Sequence, residues 1–420
     1  MMKYQINQFK YFAWFKKQRR YTKQYLLLTI TTLLMVTNVS AKDINQSTTG
    51  SQEVQEWVVV LKEPRPARLQ GWQSSKYRTS ANYKSGLELK RIGSRFAKKN
   101  GLKLKQEWFI DSLSVYCLIV EFTEDTNTTL SKLENNKMVE WVQKSNDFEL
   151  LGTTKEQKKI ETASFLKEKK SNALPFNYDG SGTVIAIIDS RTDMQHQDLM
   201  HAVKSVTDFV TTKPENTNIA QAEIHGTAIA GVLIAQPNDQ YGITGIAPAA
   251  ELFAFRGCWE ESATVTNCNT LSLARALDAV IKLNPDILNL SLSGPNDPLL
   301  NKLISRIVKK KTVVVAAFDP KRTNAERFPV PQKGVLIVRA QSIDTQYESA
   351  FTAPGAQIVT TPNNNYTYLT GHSIASAHTS GLLALLTQAT SQKLTAQMAI
   401  DKAMSGKLKS SEFLFEQLVN

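Results

Sequence analysis

Short apolar runs alternate with longer segments of helical character over residues 176–420. Runs that are apolar almost throughout predict strands at residues 183–189, 252–255, 287–292, 312–317 and 334–340. The intervening segments predict helices at residues 225–236, 270–283, 298–311, 373–390 and 394–406. Continuously apolar strands are typical of a parallel sheet that helices cover on both faces. The pattern therefore predicts an open, doubly wound, mostly parallel α/β domain, in which sites form at the carboxyl ends of strands.

A different order of elements precedes this domain. Strands are predicted at residues 56–63, 102–110, 114–122 and 138–145, and helices at residues 80–100 and 129–136. The order β-α-β-β-α-β is that of the split βαβ, ferredoxin-like motif. We therefore expect residues 42–150 to form a small α+β domain, joined to residues 176–420 by a charged and polar linker at 151–175.

The N-terminus has the pattern of a targeting segment. Residues 1–24 hold seven Lys or Arg and no acidic residue, and 12 mostly apolar residues follow at 25–36. That run is too short to span a bilayer, and the small residues at 39–41 suit a signal-peptidase site. Residues 1–41 are thus predicted to be a signal peptide, and the remainder to be periplasmic or secreted. An uncleaved N-terminal anchor is the alternative.

Charge is unevenly distributed along the chain. The formal net charge of +12 would by itself favour an acidic partner such as nucleic acid. Residues 176–420, however, hold 20 Lys and Arg against 21 Asp and Glu, a net charge of −1. The other 30 basic and 17 acidic residues lie in residues 1–175. Since the α/β domain is nearly neutral, a function in binding nucleic acid or a membrane surface is disfavoured.

Three cysteines are present: Cys117, Cys258 and Cys268. In an oxidising compartment Cys258 and Cys268 could close a short disulfide loop, which would leave Cys117 over. Three buried thiols are the alternative. The sequence contains neither Cys-x-x-Cys nor His-Glu-x-x-His, so no metal-ligating site is predicted.

Three polar residues lie where chemistry is feasible. Asp189 ends a predicted strand, while His225 and Ser373 each begin a helix rich in small residues. Separately they suit a cap, a packed histidine and an N-cap serine; together they suit an acid, a base and a nucleophile. An α/β-hydrolase elbow would need its acid and then its histidine after the serine. After Ser373 the only histidine, His378, precedes the only aspartate, Asp401, so that fold is excluded.

The order Asp, His, Ser and three sequence blocks resemble the subtilisin-like serine proteases (subtilases, peptidase family S8). The blocks are AIIDSRTDMQHQDL at 186–199, HGTAIAG at 225–231 with GITGIAP at 242–248, and GHSIASAHTSG at 371–381. The resemblance covers residues 176–410, and residues 53–149 are similar to the family's inhibitory, inhibitor I9-like propeptide. It implies a subtilisin-like fold with a propeptide before it.

By this resemblance Ser373 would attack the scissile carbonyl, His225 would act as general base and then acid, and Asp189 would orient the imidazole. The segment from Ser291 through Leu292 and Ser293 to Gly294 looks like the family's substrate-binding strand. The implied protein is a monomeric serine endopeptidase that acts on polypeptides, is inhibited by its own propeptide and needs no cofactor. The alternative is a weak or inactive subtilase-like binding or scaffold protein.

The main departure from the family pattern follows the strand at 312–317. The family has Gly-Asn there, and the Asn amide donates a hydrogen bond to the oxyanion, but this chain reads Phe318-Asp319-Pro320. A protonated Asp319 would donate and an ionised one would repel, while Asn324 is the nearest amide in sequence. Either Asp319 is neutral, or another donor replaces it, or the enzyme is slow.

Other departures are predicted to be packing changes, namely Ala228, His372 and Ala377 in place of the family's His, Thr and Pro. Asp198 and the pair Asn238–Asp239 resemble parts of a structural calcium site of the family. Solvated turn residues are the alternative for these three positions.

Overall fold

The computed structural model describes residues 55–62, 91–153, 178–210, 223–237, 242–262, 265–341 and 351–389. All of them belong to one of two compact units of the chain, Val54–Asn420. The predicted signal peptide, residues 154–175 of the predicted linker and the helix predicted at 394–406 lie outside the described residues. In the described part, no helix is long and apolar enough to cross a membrane.

A seven-stranded sheet forms the centre of the α/β domain. Its strands are β7 (Val184–Asp189), β8 (Val203–Asp208), β9 (Glu251–Arg256), β12 (Ile287–Leu290), β14 (Val313–Ala317), β16 (Val335–Ala340) and β17 (Phe351–Ala353). They lie in the order β17-β16-β14-β12-β7-β9-β8, and every pair is parallel. The predicted doubly wound parallel fold is thereby confirmed. Strand order reverses at β7, so a crevice is expected at the carboxyl ends of β7 and β12.

Helices cover both faces of this sheet. They are α3 (Ile224–Ile234), α4 (Thr270–Leu283), α5 (Pro298–Lys309) and α6 (His372–Ala389). Along β7, Ile185 and Ile187 pack into the core with α3 and α6, whereas Ala186 and Ile188 pack into the core with α4 and α5. Successive side chains of one apolar strand thus supply two separate cores, which explains why the strand shows no polar alternation.

Helix α3 approaches the sheet closely because of its small residues. A Cβ atom added at Gly226 would lie 2.2 Å from the carbonyl oxygen of Ser190, just after β7. One added at Gly231 would lie 2.1 Å from Oγ1 of Thr360. Gly226 thus lets the start of α3 lie against the end of β7, which brings His225 to Asp189, while Gly231 lets the same helix pack against Thr360.

The smaller domain is a four-stranded antiparallel sheet with two helices. Its elements are β1 (Glu56–Lys62), α1 (91–99), β2 (Leu102–Ile110), β3 (Val115–Phe122), α2 (Thr126–Glu134) and β4 (Val139–Lys144). The strands lie in the order β2-β3-β1-β4. The strands and α2 lie close to their predicted positions, while only the second half of the helix predicted at 80–100 falls in the described residues.

One face of this sheet packs on α4 and α5. Val60 and Trp108 share a core with Leu277 of α4 and Leu303 of α5. At the edge, the side-chain amide of Gln143 donates to Asp297, the N-cap of α5, over 2.8 Å. Apolar burial therefore joins the two domains, and polar bonds at the rim set their register.

Two small sheets complete the described fold. The first contains β5 (Asp147–Leu150), β10 (Cys258–Glu260), β11 (Thr266–Asn269), β13 (Leu292–Pro295) and β15 (Arg327–Phe328), in the order β10-β11-β5-β13-β15. The second contains β6 (Gly152–Thr153), β18 (Ala356–Thr361) and β19 (Asn365–Gly371), in the order β18-β19-β6. Residues 152–153 lie in the predicted linker, but they pair with β19, which is distant in the chain. Nothing in the sequence around residues 152–153 indicates this pairing.

Candidate active site

The Asp189 and His225 side chains form a buried pair. Asp189 is the last residue of β7 and is fully buried, and its Oδ1 lies 2.7 Å from Nδ1 of His225 in the first turn of α3. The backbone N–H of Ser190 donates to the same Oδ1 over 2.7 Å. The contact through Nδ1 leaves Nε2 of His225 without a hydrogen-bond partner among the described residues. This arrangement orients an imidazole whose other nitrogen can accept a proton.

The charge state of His225 reflects competing effects. Burial acts to lower the pKa of His225, but the charge and hydrogen bond of Asp189 and the charge of Glu260 raise it above its ordinary value. Two carboxylates thus stabilise the imidazolium. An imidazolium that is stabilised in this way is what a general base needs after it has taken a proton.

Glu260 holds the first turn of α3 in place. Its carboxylate accepts from the backbone N–H of His225 over 2.7 Å and from that of Ile224 over 3.0 Å. It also accepts from the hydroxyl of Ser190 over 3.0 Å. The N-cap residue itself, Glu223, makes no side-chain capping bond, so Glu260 replaces it in that role. Burial raises the pKa of Glu260, although these hydrogen bonds oppose the change.

Sequence reasoning missed Glu260 because the cap comes from another element. Glu260 ends β10, which pairs with β11 in a hairpin where Cys258 lies opposite Cys268. The two cysteines are joined in a disulfide, and Cys117 is a buried free thiol. The signal that could have found Glu260 is its place next to the disulfide hairpin, since a braced strand is a suitable support for a buried carboxylate.

Ser373 lies in the first turn of α6 and is fully buried. Its hydroxyl donates to the carbonyl oxygen of Ser291, immediately after β12, over 3.0 Å. The same carbonyl accepts from the backbone N–H of Leu151 over 3.0 Å. Ser373 is therefore adjacent to residues 151–152 of the chain itself.

The predicted substrate strand binds a segment of this chain. β5 lies between β11 and β13, with Leu150 opposite Leu292 and Glu149 opposite Ser293, both in antiparallel register. Beyond Leu151, Gly152 pairs with Gly371 of β19. Residues 147–153 therefore cross the site in extended form, with backbone pairing on each side of the bond that follows Leu151.

Asp319 is an ionised, buried acceptor. Its Oδ2 accepts from the hydroxyl of Ser293 over 2.6 Å and from Arg322 over 2.7 Å, and its Oδ1 accepts from the backbone N–H of Lys321 over 2.8 Å. Burial acts to raise the pKa of Asp319, but the bonds from Ser293, Arg322 and Lys321 outweigh it and bring the pKa below its ordinary value. A charged carboxylate that already accepts three hydrogen bonds has no proton to donate to an oxyanion. The other candidate donor, Asn324, is exposed on the loop that follows.

The comparisons with known proteins agree with this geometry. The model of the subtilase family matches residues 180–411, which is more than half of the chain. This chain belongs to the subtilase family. The resemblance seen in the three sequence blocks is confirmed, and with it the expectation of a subtilisin-like fold.

Relatives of this subtilase include named bacterial proteases. It is similar to the thermophilic serine proteinase of Bacillus sp. (strain AK1), with 31% identity over 236 residues, 53% of this chain and 56% of that protein. Similarity to thermitase of Thermoactinomyces vulgaris is 30% over 221 residues, 50% of this chain and 76% of thermitase. The aligned region thus spans little more than half the length of the first of these relatives.

Solved structures show the same fold. Fervidolysin from Fervidobacterium pennivorans, a keratinolytic enzyme related to subtilisin, matches with a TM-score of 0.61 and 16% identity, over 87% of this subtilase and 61% of that chain. The epidermin leader peptide processing serine protease of Staphylococcus aureus matches with a TM-score of 0.54 and 18% identity, over 83% of this subtilase and 92% of that chain.

The smaller departures of this subtilase from the family pattern lie in packed surroundings. Ala228 and Ala377 are fully buried, and His372 is nearly so. Nδ1 of His372 accepts from the backbone N–H of Ala340 over 3.0 Å. Its ring also meets Phe318 edge-on, with centroids 5.6 Å apart. This contact places the loop that starts at Phe318 beside the residue that precedes Ser373.

The calcium prediction rests largely on undescribed residues, since Asn238 and Asp239 lie outside the described part of this subtilase. Asp198 is buried, and one of its carboxylate oxygens accepts from Tyr366 and from the backbone N–H of Ile243, while the other has no hydrogen-bond partner among the described residues. The described residues contain no group of three or more His, Cys, Asp or Glu that would hold a metal ion. A calcium site at Asp198 therefore stays a prediction.

Proposed function

We propose that this subtilase is an exported serine endopeptidase, made as a zymogen that cleaves its own Leu151–Gly152 bond. The observation that carries the proposal is the path of residues 147–153, which cross the candidate site as a substrate would. Leu151 and Ser373 both donate to the carbonyl oxygen of Ser291, so the peptide bond after Leu151 is next to the serine hydroxyl.

In the proposed reaction, the Ser373 hydroxyl attacks the carbonyl carbon of Leu151. His225 accepts the hydroxyl proton at Nε2 and then donates it to the leaving nitrogen of Gly152. Asp189 holds the ring through Nδ1 and stabilises the imidazolium. Water then attacks the acyl-enzyme, with His225 as base. This step releases Leu151 as a new C-terminal carboxylate and regenerates the Ser373 hydroxyl.

After this cleavage the four-stranded domain would remain bound as an inhibitor. Its contact with α4 and α5 is apolar and does not depend on the cleaved bond, as the shared core around Trp108 shows. Ser112 also donates its backbone N–H to Asp278 of α4 over 3.0 Å, and Gln143 and Asn146 both donate to Asp297. Residues 147–151 would therefore occupy the cleft until this domain is degraded.

Export is supported by two independent features. The sequence of residues 1–41 has the pattern of a signal peptide, and a disulfide joins Cys258 and Cys268. Structural disulfides persist in oxidising compartments such as a periplasm or the extracellular medium. Polypeptides are the proposed substrates, and a monomer is the proposed state.

A slow or non-catalytic binding protein is the second candidate function. The observation in its favour is Asp319, whose ionised side chain stands where the family has an oxyanion donor. In subtilisin itself, loss of that one donor lowers kcat by about 10²–10³. Ser373 lies in the first turn of α6, where backbone N–H groups have no acceptor within the helix and would serve as oxyanion donors, so we favour a slow peptidase over a protein without activity.

The test is self-processing of the purified protein. The wild type should yield a fragment that begins at Gly152, as read by N-terminal sequencing and intact mass, and should react with a fluorophosphonate probe after maturation. Ser373→Ala should stay uncleaved and unlabelled, while Ser380→Ala, another buried serine of α6, should process normally. A wild type that neither processes nor labels would remove the peptidase proposal and favour the binding protein.

A further inference from the structure

We propose that the loop 319–322 makes this subtilase select an acidic side chain at the third residue before the cleaved bond. The inference rests on the proposed function and extends it to substrate preference. In the chain's own segment that third residue is Glu149, since the bond follows Leu151.

Glu149 lies against two cations of the loop. Nζ of Lys321 contacts both carboxylate oxygens of Glu149, at 2.8 Å and 3.1 Å. Nη1 of Arg322 lies 3.8 Å from Oε1 of the same carboxylate. The antiparallel pairing of Glu149 with Ser293 fixes the backbone of this residue, so any peptide bound in this register would present its third side chain here.

Asp319 gives the loop its shape and sets its charge. It bonds the Arg322 side chain and the backbone N–H of Lys321 from a fully buried position, which holds both cations towards the strand. The hydroxyl of Ser293 supplies a third bond from β13 itself. One anion and two cations leave the loop with a net charge of +1, which a single substrate carboxylate neutralises.

This arrangement gives Asp319 a role other than oxyanion stabilisation. Asp319, the second residue after β14, offers a carboxylate where the family has an amide donor, and this carboxylate anchors a charged wall of the cleft.

The expected selectivity is moderate because the pair is partly exposed. The side chains of Lys321 and Glu149 are 63% and 37% exposed, so solvent screens the attraction. An exposed ion pair of this kind changes an equilibrium by about twofold to fivefold. We therefore expect kcat/KM to differ about twofold to fivefold between the Glu and Gln peptides, and more between the Glu and Lys peptides, where attraction becomes repulsion.

The experiment uses the self-processed enzyme after its four-stranded domain has been degraded, with quenched fluorescent peptides of sequence Asp-Phe-X-Leu-Leu-Gly-Thr in which X is Glu, Gln or Lys. The kcat/KM should fall in that order, and the preference should shrink between about 0.05 M and about 1 M sodium chloride. Lys321→Glu should reverse the order of the Glu and Lys peptides. Lys333→Glu, the same charge change at another exposed site, should leave the order intact. Equal kcat/KM for the three peptides would overturn the proposal.

A second measurement does not need activity. In the uncleaved Ser373→Ala protein, Glu149→Lys and Lys321→Glu should each lower the unfolding midpoint, and the double reversal should recover most of the loss. If the two single changes lowered the unfolding midpoint by amounts that simply add in the double variant, the loop would not interact with the charge of residue 149. That result would also overturn the proposal. If no peptide is cleaved but the reversal recovers stability, the proposed function fails while the charge recognition stands.

Discussion

Glu260 offers the sharpest test of how the candidate base is held. Its carboxylate accepts from the backbone of Ile224 and His225 and from the Ser190 hydroxyl, over 2.7–3.0 Å. Glu260→Ala removes both carboxylate oxygens and with them all three hydrogen bonds. Glu260→Gln keeps one acceptor oxygen in nearly the same shape but removes the charge. The pair of variants therefore separates the effect of the cap from the effect of the charge.

The size of each effect follows from the bonds lost. A buried donor that loses its partner costs about 1–3 kcal/mol, and loss of an N-terminal helix cap costs about 0.5–2 kcal/mol. We expect Glu260→Ala to lower the free energy of unfolding by about 3 kcal/mol, because two backbone N–H groups lose their acceptor. Glu260→Gln should cost about 1 kcal/mol, since one acceptor remains.

The charge has a separate signature in pH dependence. The negative charge of Glu260 helps to raise the pKa of His225, because it stabilises the imidazolium. In Glu260→Gln that contribution is lost, so the pKa of His225 falls and the neutral base persists to lower pH. The acid limb of kcat/KM should therefore move to lower pH, while kcat falls because the imidazolium is less stabilised.

The measurements are chemical unfolding of each variant, the pH profile of kcat/KM, and NMR titration of the His225 ring in the Ser373→Ala background. Glu261→Gln, an exposed neighbour with the same charge change, is the matched control. If Glu260→Gln and Glu261→Gln gave the same acid limb and the same His225 titration, the assigned role of Glu260 in positioning the base would be wrong.

Two further predictions concern the walls of the cleft. Asp319→Asn should raise kcat by up to about 10²-fold, because it places an amide donor on the oxyanion side of the site. The same variant loses the charged bond to Arg322, so its free energy of unfolding should fall by about 1–3 kcal/mol. An unchanged kcat at every pH would remove Asp319 from the site. Replacement of Cys258 and Cys268 by Ser, which opens a loop of 10-residue separation, should lower the free energy of unfolding by about 3 kcal/mol by loop entropy. The activity of the wild type should therefore fall in reductant, and Cys117→Ala, which keeps the disulfide, should respond in the same way. A double replacement that left the free energy of unfolding unchanged would contradict this prediction.

Much of the fold could be predicted from local pattern alone. The continuously apolar runs, such as the one that became β7, lie on strands of the central sheet because both of their faces are buried. Small residues in the segment of α3 indicated a helix in close contact with the sheet. The order Asp189, His225, Ser373 excluded one hydrolase fold and favoured another, since chain order is a property of the sequence and needs no coordinates.

The boundary between the two domains was less predictable. Residues 151–153 are predicted to start a polar linker, yet Leu151 directly follows β5, and Gly152 and Thr153 form β6. Their partners, β13 and β19, lie more than 100 residues away in the chain. An extended segment that binds through its backbone leaves little trace in its side chains, so its pairing cannot be read from its own composition.

The sequence by itself determined which segments are buried, how the strands and helices alternate, and which three residues are candidates for the chemistry. Only the tertiary structure decided the charge of Asp319, the cap that Glu260 provides and the contact between Glu149 and Lys321. The periodicity of apolar residues indicates which side of a segment faces the core and which faces water, because this pattern involves only residues a few positions apart in the chain. A pKa, a cap or an ion pair depends on atoms within about 4 Å in space, and folding brings those atoms from distant parts of the chain.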